Sequence, residues 1–379
     1  MKNNDIIIIP DRLAHYRLPV FNNLAHIAEK LGYNLVIMAD LRPDKTGIKK
    51  PSYISINNNN FKFVKSLDYR VLNRLILSTG SFKAIYSNAR IIIIWGDVSA
   101  IGNWIASIII RLFTNKKLVF WSHGLYGNEN RLVKTLRLRF YNMAHQILLY
   151  GNYSKSLLLS NGFDPNKLLV INNALDTTIQ DELFNNNKLD FVSDVNKIRL
   201  LFVGRLTASK KIELLLSAVA TLSKTHDVEL NIIGDGSEMS NLRNLANDLN
   251  INNRVKFHGA IYDESILCKY FLYSDILVSP GNVGLSAMHS LVYGTPVISH
   301  DNPTRQGPEY ESIINDFSGY LFKENDVKSL SNTIKKCKHS LNNNIINRQS
   351  CRSVITSKYS FEYQGKVFNE LINRLEAEV

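Results

Sequence analysis

Residues 278–312 constrain this chain most. They read Val-Ser-Pro-Gly-Asn-Val-Gly-Leu-Ser-Ala-Met-His-Ser-Leu-Val-Tyr-Gly-Thr-Pro-Val-Ile-Ser-His-Asp-Asn to residue 302 and run on to Glu309 and Glu311. Asp275–Ser279 is an apolar strand pattern, and Pro280-Gly281-Asn282 is turn chemistry. From Gly284, the residues Leu285, Met288, Leu291 and Val292 recur at helical spacing, and Gly294 supplies the left-handed stop. Thr295–Ser299 is the next strand. Strand, glycine loop, helix, strand is one βαβ unit. Such a loop leaves amide N–H groups and a positive dipole end around Asn282, Val283, Gly284 and Leu285, where an anion can sit. An ordinary βαβ turn that binds nothing has the same pattern.

Length and charge set the frame. At 379 residues two domains are expected. Residues 1–180 hold 23 Lys and Arg against 10 Asp and Glu, and residues 181–379 hold 22 against 23, so the chain's +12 lies entirely in its first half. That asymmetry points the first half at an anionic surface, membrane or nucleic acid. No nucleic-acid recognition motif accompanies it, which leaves an anionic membrane as the expected partner. Two stretches are basic and apolar together. One is 62–90, with Lys62, Lys65, Arg70, Arg74, Lys83 and Arg90 among aromatic and aliphatic residues. The other is 131–140, with Arg131, Lys134, Arg137 and Arg139. Residues 91–110 carry Asp97 as their only charge, but Trp95-Gly96-Asp97 breaks the run, so a buried strand, a turn and a core helix are expected rather than a membrane span. No signal peptide is visible. Cys268, Cys337 and Cys351 suit neither a disulfide framework nor a zinc site, and a reducing cytosol fits them.

The first half alternates strand and helix. Ile6–Ile9 is a strand, Asp11–Pro19 a polar loop, the helix runs to about Lys30, and Asn34–Met38 is the next strand, so a parallel α/β sheet is expected. Ligands of such sheets sit at the carboxyl ends of strands. There stand His15 and Arg17 in the first loop, Asp97 after Ile91–Ile94, and His123 after Leu118–Trp121. Residues 177–197 read as a polar linker. In the second half Arg199–Val203 is a strand followed by Gly204-Arg205-Leu206 and Lys210. Two cations at a strand end can stabilise the charge that grows on a leaving diphosphate; Arg grips it bidentately and Lys acts as a point charge. Gly234-Asp235-Gly236 ends the next strand and His258-Gly259-Ala260-Ile261 the one after.

Taken together these motifs resemble family-4 glycosyltransferases of the GT-B fold. The resemblance implies an α/β protein of two Rossmann-like domains facing across a cleft: an N-terminal acceptor domain over 1–176, to which a terminal helix in 359–379 returns, and a nucleotide-sugar domain over 177–358. Gly204-Arg205-Leu206 with Lys210 is similar to the family's Gly-Arg-Leu-x-x-x-Lys, with Lys211 where glycine is usual. Gly284-Leu285 and Gly294-Thr295-Pro296-Val297 fix the register of the signature loop. That register puts Gly281 and His289 where the family has glutamates, so both signature carboxylates are missing. The resemblance implies retaining transfer from a nucleotide-sugar, UDP-hexose or UDP-N-acetylhexosamine favoured, to a lipid-linked saccharide of O-antigen, capsule or related polysaccharide assembly. The protein would be cytoplasmic and peripheral on the inner face of the membrane, with no cofactor. No Asp-x-Asp cluster is present, so no metal is expected. Arg205 and Lys210, with N–H groups near Val283 and Gly284, would hold the diphosphate. His123 and Asp97 would shape the sugar and acceptor pocket. Gly204, Gly234, Gly236, Ala260 and Ile261 would line the nucleotide. Asn282 with Glu309 or Glu311 would replace the first glutamate. His289 would stand at the ribose or pack. The rival readings are a non-catalytic carbohydrate- or nucleotide-binding relative, motivated by the lost glutamates, and a nucleic-acid binder, motivated by charge alone.

Overall fold

The computed structural model describes residues 4–42, 50–52, 55–56, 59–71, 75–187 and 194–377. The chain divides into two compact units, 1–174 with 361–379, and 175–360.

The first unit is built on seven parallel strands in the order β3-β2-β1-β6-β7-β8-β9. In chain order its elements are β1 (Asp5–Ile9), α1 (Leu18–Lys30), β2 (Asn34–Ala39), β3 (Lys62–Lys65), the hairpin β4 (Asp68–Val71) and β5 (Leu75–Ser78), α2 (Thr79–Tyr86), β6 (Ile91–Trp95), α3 (Ile101–Phe113), β7 (Lys117–Ser122), α4 (Arg131–Asn142), β8 (Gln146–Leu149), α5 (Asn152–Leu159) and β9 (Leu168–Val170). Runs such as Ile91–Ile94 are apolar throughout because both sheet faces are covered. Ile91 and Ile93 join a core with α1, while Ile92 and Ile94 join a core with α3 and α4. The sequence reads 62–90 as a basic, amphipathic region. The segment is an edge strand, a hairpin and a short helix, and Leu72 and Arg74 lie outside the described residues. The buried carboxylate of Asp40 anchors this region. It accepts from the Asp68 N–H at 2.9 Å and from the Arg42 guanidinium. Those bonds outweigh burial, which acts the other way and is the largest single influence, and hold its pKa at about 2.

The second unit is built on six parallel strands in the order β12-β11-β10-β13-β14-β15. Its elements are α6 (Thr178–Asn186), β10 (Lys197–Val203), α7 (Ile212–Leu222), β11 (Asp227–Ile233), α8 (Met239–Asp248), β12 (Val255–Phe257), α9 (Glu264–Tyr273), β13 (Ile276–Ser279), α10 (Ser286–Val292), β14 (Val297–His300), β15 (Gly319–Phe322), α11 (Val327–Asn342) and α12 (Arg348–Lys358). Residues 178–186 are therefore a helix of this unit, not linker. Arg352 holds it there, stacking on Phe184 at 3.8 Å and pairing with Asp181 at 2.6 Å. The part of the expected linker at 188–193 lies outside the described residues. Helix α12 went unread in the sequence; its Asn347 capping box is the signal that marks its start. The last helix, α13 (Phe361–Ala377), belongs to the first unit and packs on α1. The approach is close enough at Gly365 that a Cβ there would lie 2.6 Å from Ile27. Among the described residues no helix is long and apolar enough to cross a membrane.

Candidate functional site

The loops that leave the carboxyl ends of β10, β11, β12 and β13 are stitched to one another through backbone. Gly204 N–H donates to Ile233 O at 3.0 Å, Leu206 N–H to Asp235 O at 2.9 Å, Gly234 N–H to Gly259 O at 2.8 Å, and Gly281 N–H to Lys210 O at 3.0 Å. The loops touch so closely that side chains have no room. A Cβ at Gly234 would lie 1.8 Å from Gly204 O, and one at Gly281 would lie 2.1 Å from Ser209 O. Gly281 occupies the position of the family's first glutamate, so that carboxylate is replaced by a backbone-to-backbone contact.

Lys210 sits inside this junction. Its Nζ donates to the carbonyl oxygen of Asn282. Burial lowers its pKa most, the nearby Arg205 charge lowers it further, and Glu309 pulls the other way. Arg205 itself is exposed. The two cations and Asn282 are thus brought together as the sequence reading expects. Glu309 joins them. It is 6% exposed, and a Cβ on Gly307 would lie 2.7 Å from its Oε2 and 3.6 Å from Asn282 Oδ1. The Glu309 carboxylate is thus buried beside the Asn282 side chain. Glu311, in contrast, is only partly buried on the same short turn. Lys211 takes the left-handed backbone, φ 51°, at the position where the family has glycine, and its Nζ bonds Glu324 Oε1 and Asn325 Oδ1, both at 2.7 Å.

The Val283 amide departs from expectation. Its N–H donates to Gln306 Oε1 at 3.1 Å, so it is not offered to a phosphate. Gln306 is buried and fixed in turn, giving its Nε2–H to Ser299 Oγ at 2.7 Å and to His300 O at 3.0 Å. Gln306 and Ser299 are site residues the sequence did not reveal, because they act only through backbone of the loop. Gly284, at φ 56°, and the half-exposed Leu285 follow Val283 with their amides meeting no acceptor among the described residues. Helix α10 has seven residues, so hydrogen bonds from Gly284 and Leu285, rather than a large dipole, would hold an anion here.

His289 faces α9 rather than standing alone. Its Nε2 is 2.7 Å from Glu264 Oε1, which also accepts from the Tyr293 hydroxyl at 2.6 Å. The His289 ring lies against Phe271 and Tyr293. Burial acts most strongly on Glu264 and raises its pKa, yet hydrogen bonding to His289 and the His289 charge prevail and leave it lowered. Glu264 opens the helix that follows the Ala260-Ile261 loop. A carboxylate therefore returns near the second missing glutamate, contributed by α9 instead of α10. Ala260 is exposed and Ile261 packs on the core beneath it.

In the first unit, His123 follows β7 and lies 4.7 Å from Tyr150, 5.6 Å from Trp95 and 6.2 Å from Tyr126, ring centre to ring centre. Desolvation first, then the Arg17 and Arg137 charges, push its pKa down to about 4, so the imidazole is neutral at physiological pH. Asp97 accepts from the Ser99 N–H at 2.9 Å, closing the turn after β6. Arg17 points into the same aromatic cluster, whereas His15 is exposed. Outward from this sheet, α3 exposes Ile105, Ile108, Leu112 and Phe113, and α4 exposes Leu132 and Leu136. The two helices touch through Trp104 and Phe140, 4.8 Å apart. Residues 79–142, which span both, hold nine Lys and Arg against Asp97 and Glu129.

Residues 184–350 match the family model described as glycosyl transferases group 1. An uncharacterized glycosyltransferase of Methanocaldococcus jannaschii is 28% identical over 185 residues, 46% of this chain and 47% of that protein, so the chain spans about half the length of this relative. An uncharacterized glycosyltransferase of Haemophilus influenzae is 24% identical over 315 residues, 81% of this chain and 82% of that protein. Among solved structures, the lipopolysaccharide outer core galactosyltransferase WaaB superposes with a TM-score of 0.70 over 99% of this chain and 100% of that one, at 16% identity. That likeness gives the fold, GT-B, for both units.

Proposed function

We propose, from the match of residues 184–350 to the group 1 glycosyltransferases and the GT-B fold of both units, that the chain transfers a sugar from a nucleotide-sugar to a lipid-linked saccharide of surface-polysaccharide assembly, with retention and without a metal. The observation that carries this reading is the junction of the Arg205–Lys210 loop with the Gly281–Asn282 loop. It sets two cations, loop amides that meet no acceptor among the described residues, and a buried carboxylate at the carboxyl edge of one sheet.

Each group has a task. Arg205, Lys210 and the amides of Gly284 and Leu285 hold the diphosphate and take up the charge it gains. Glu309 and Asn282 bind hydroxyls of the donor sugar. The Ala260-Ile261 backbone borders the base, Gly234 and Gly236 leave space beside the nucleotide, and His289 with Glu264 stands toward the ribose. His123, kept neutral, and Asp97 shape the acceptor and sugar pocket. The acceptor oxygen bonds to the anomeric carbon on the side the diphosphate leaves. The carbon–oxygen bond to phosphate breaks, and the acceptor's proton passes to the departing phosphate oxygen. The apolar, basic outer layer of α3 and α4 supports a place on an anionic membrane, where a lipid-linked acceptor would be met.

The test is nucleoside diphosphate release from UDP-, GDP- and dTDP-sugars, with and without EDTA and a lipid-linked acceptor extract. Acceptor-dependent release from one donor, insensitive to EDTA, is expected. Nucleotide binding with no release from any donor would favour the non-catalytic reading that the absent glutamates motivate.

A further inference from the structure

The loops that leave the carboxyl ends of β10, β13, β14 and β15 are joined in a closed circuit. Gly281 N–H donates to Lys210 O at 3.0 Å, which ties the β13 loop to the β10 loop. Val283 N–H donates to Gln306 Oε1 at 3.1 Å, which ties the β13 loop to the β14 loop. Asn302, earlier in the β14 loop, gives its Nδ2–H to Glu324 Oε2 at 2.6 Å. Glu324 lies just past β15 and gives its own N–H to Asp301 Oδ1 at 3.1 Å. The circuit closes beside Lys210, where the Lys211 ammonium meets Glu324 Oε1 at 2.7 Å and Asn325 Oδ1 at 2.7 Å. Arg305 also approaches Glu324 Oε1, at 3.5 Å, but is 62% exposed, so Lys211 is the cation that holds this oxygen.

Two observations distinguish the Lys211–Glu324 bond from an ordinary surface ion pair. Lys211 stands at φ 51°, left-handed backbone that side chains disfavour and that glycine, the family's residue at this position, takes freely. A lysine is kept there against that preference, and its head group reaches the β15 loop. Glu324, for its part, is a hub. Its side chain is 13% exposed and accepts from the β10 loop through Lys211 and from the β14 loop through Asn302. Hydrogen bonding to Lys211 does most to hold its pKa at about 2, with desolvation acting the other way. Removing either partner opens the circuit at one point and leaves the Gly281–Lys210 junction in place.

We propose that Lys211 and Glu324 are positioning residues of the donor site. Their bond fixes the β14 loop, which carries Gln306 and Glu309, against the β10 loop, which carries Arg205 and Lys210. This rests on the transferase reading above and adds to it two residues that act through the loops, not on the substrate. A nucleotide-sugar engages Glu309 and the two cations at once, so its affinity depends on the spacing between these loops. A nucleoside diphosphate lacks the sugar, so its affinity does not.

Two measurements on the full chain test it. The first is calorimetric titration, without acceptor, of the donor that the release panel selects and of its nucleoside diphosphate. Lys211→Gly, Lys211→Met and Glu324→Ala should each weaken the donor about tenfold or more and the nucleoside diphosphate by less than about twofold, and Lys211→Arg should keep most of the donor affinity. Stability separates this from a purely structural role. Lys211→Gly relieves the left-handed backbone and Lys211→Met does not, so Lys211→Gly should unfold at the higher temperature while the two lose donor affinity alike. Losses that follow the unfolding temperature, or that fall equally on donor and nucleoside diphosphate, overturn the proposal. The second measurement is amide hydrogen exchange and needs no ligand. In Lys211→Gly the amides of Val283 and Glu324, bonded across the circuit, should exchange faster than in the wild type, while those of Gly204 and Gly234, bonded outside it, should keep their rates. A wild type that binds and releases no donor counts against the transferase reading instead. The exchange rates then decide the circuit alone, and unchanged rates at Val283 and Glu324 overturn it.

Discussion

Gly281 donates its backbone N–H to the carbonyl oxygen of Lys210 at 3.0 Å, and the Lys210 ammonium reaches back to the carbonyl of the next residue, Asn282. The place of the family's first glutamate is thereby taken by main chain. Restoring the glutamate should harm the protein. In Gly281→Glu the Cβ would meet Ser209 O at 2.1 Å and the Cα of Lys210 at 2.8 Å, both backbone-bound and unable to yield cheaply. Overpacking of this kind costs about 1–3 kcal/mol or more. We expect Gly281→Glu, and Gly281→Ala as well, to lower the unfolding midpoint and to raise the KM for donor. A variant as stable and active as the wild type would mean that the loops do not meet in this way.

Lys210 gives a second prediction with a pH signature. Its pKa is lowered chiefly by burial and by Arg205. A diphosphate favours the charged amine, so binding should take up a proton in the alkaline range, and affinity should fall as pH rises through the lowered pKa of the free enzyme. Lys210→Met should remove that dependence and cost about 10²–10³ in kcat, the usual effect of deleting one charge-stabilising donor. Calorimetry of nucleoside diphosphate binding in two buffers of different ionisation enthalpy measures the proton uptake directly.

What the sequence disclosed follows from the kind of signal involved. Parallel strands buried on both faces read as apolar runs, and glycines at close approaches read as motifs, so the α/β fold and the Gly204, Gly234 and Gly284 loops were legible. The groups that satisfy those loops were not. Gln306 reaches the Val283 amide across 23 residues, and Glu264 reaches His289 across 25. Neither spacing carries a periodicity. The Asp40 anchor of the 62–90 region is equally non-local, joining residues 28 apart, which is why a basic amphipathic stretch concealed a hairpin. Helix 178–186 is polar on most of its surface and is recognisable only once Arg352 is seen against Phe184 and Asp181.

The Glu264–His289–Tyr293 cluster separates packing from binding. Hydrogen bonding to His289 and Tyr293 holds the Glu264 pKa below its usual value despite burial. A carboxylate whose folded pKa is depressed contributes stability that is present above the unfolded value and lost as pH falls through the folded one. Glu264→Ala leaves His289 and the Tyr293 hydroxyl without their acceptor and should cost about 1–3 kcal/mol near neutral pH, with the deficit against wild type shrinking as pH falls through the lowered pKa of Glu264. If the pair also meets the ribose, the variant should bind a nucleoside diphosphate at least severalfold more weakly while binding the 2′,3′-dideoxy analogue as the wild type does. Equal weakening for both nucleotides would confine the cluster to structure.

His123 carries the opposite proton linkage to an ordinary surface histidine. Burial, with Arg17 and Arg137 adding repulsion, sets its folded pKa at about 4 against an ordinary 6.5. Between those values the unfolded chain binds the proton and the folded chain does not, so this residue's contribution to stability is full above pH 6.5 and is lost as pH falls toward 4. Over that window the difference is roughly 2–3 kcal/mol. His123→Phe keeps a ring against Trp95, Tyr126 and Tyr150 and has no proton to gain, so its unfolding midpoint should fall less than that of the wild type between pH 7 and pH 4.5. The same argument fixes the catalytic profile. With His123 neutral throughout, the acid limb of kcat/KM should show no ionisation near 6.5 from this residue, and the profile of His123→Phe should keep the wild-type shape between pH 6 and 8 whatever its height. A wild-type limb near 6.5 that disappears in His123→Phe would show that the imidazole is solvated and titrates normally, and that the aromatic cluster is more open than the structure has it.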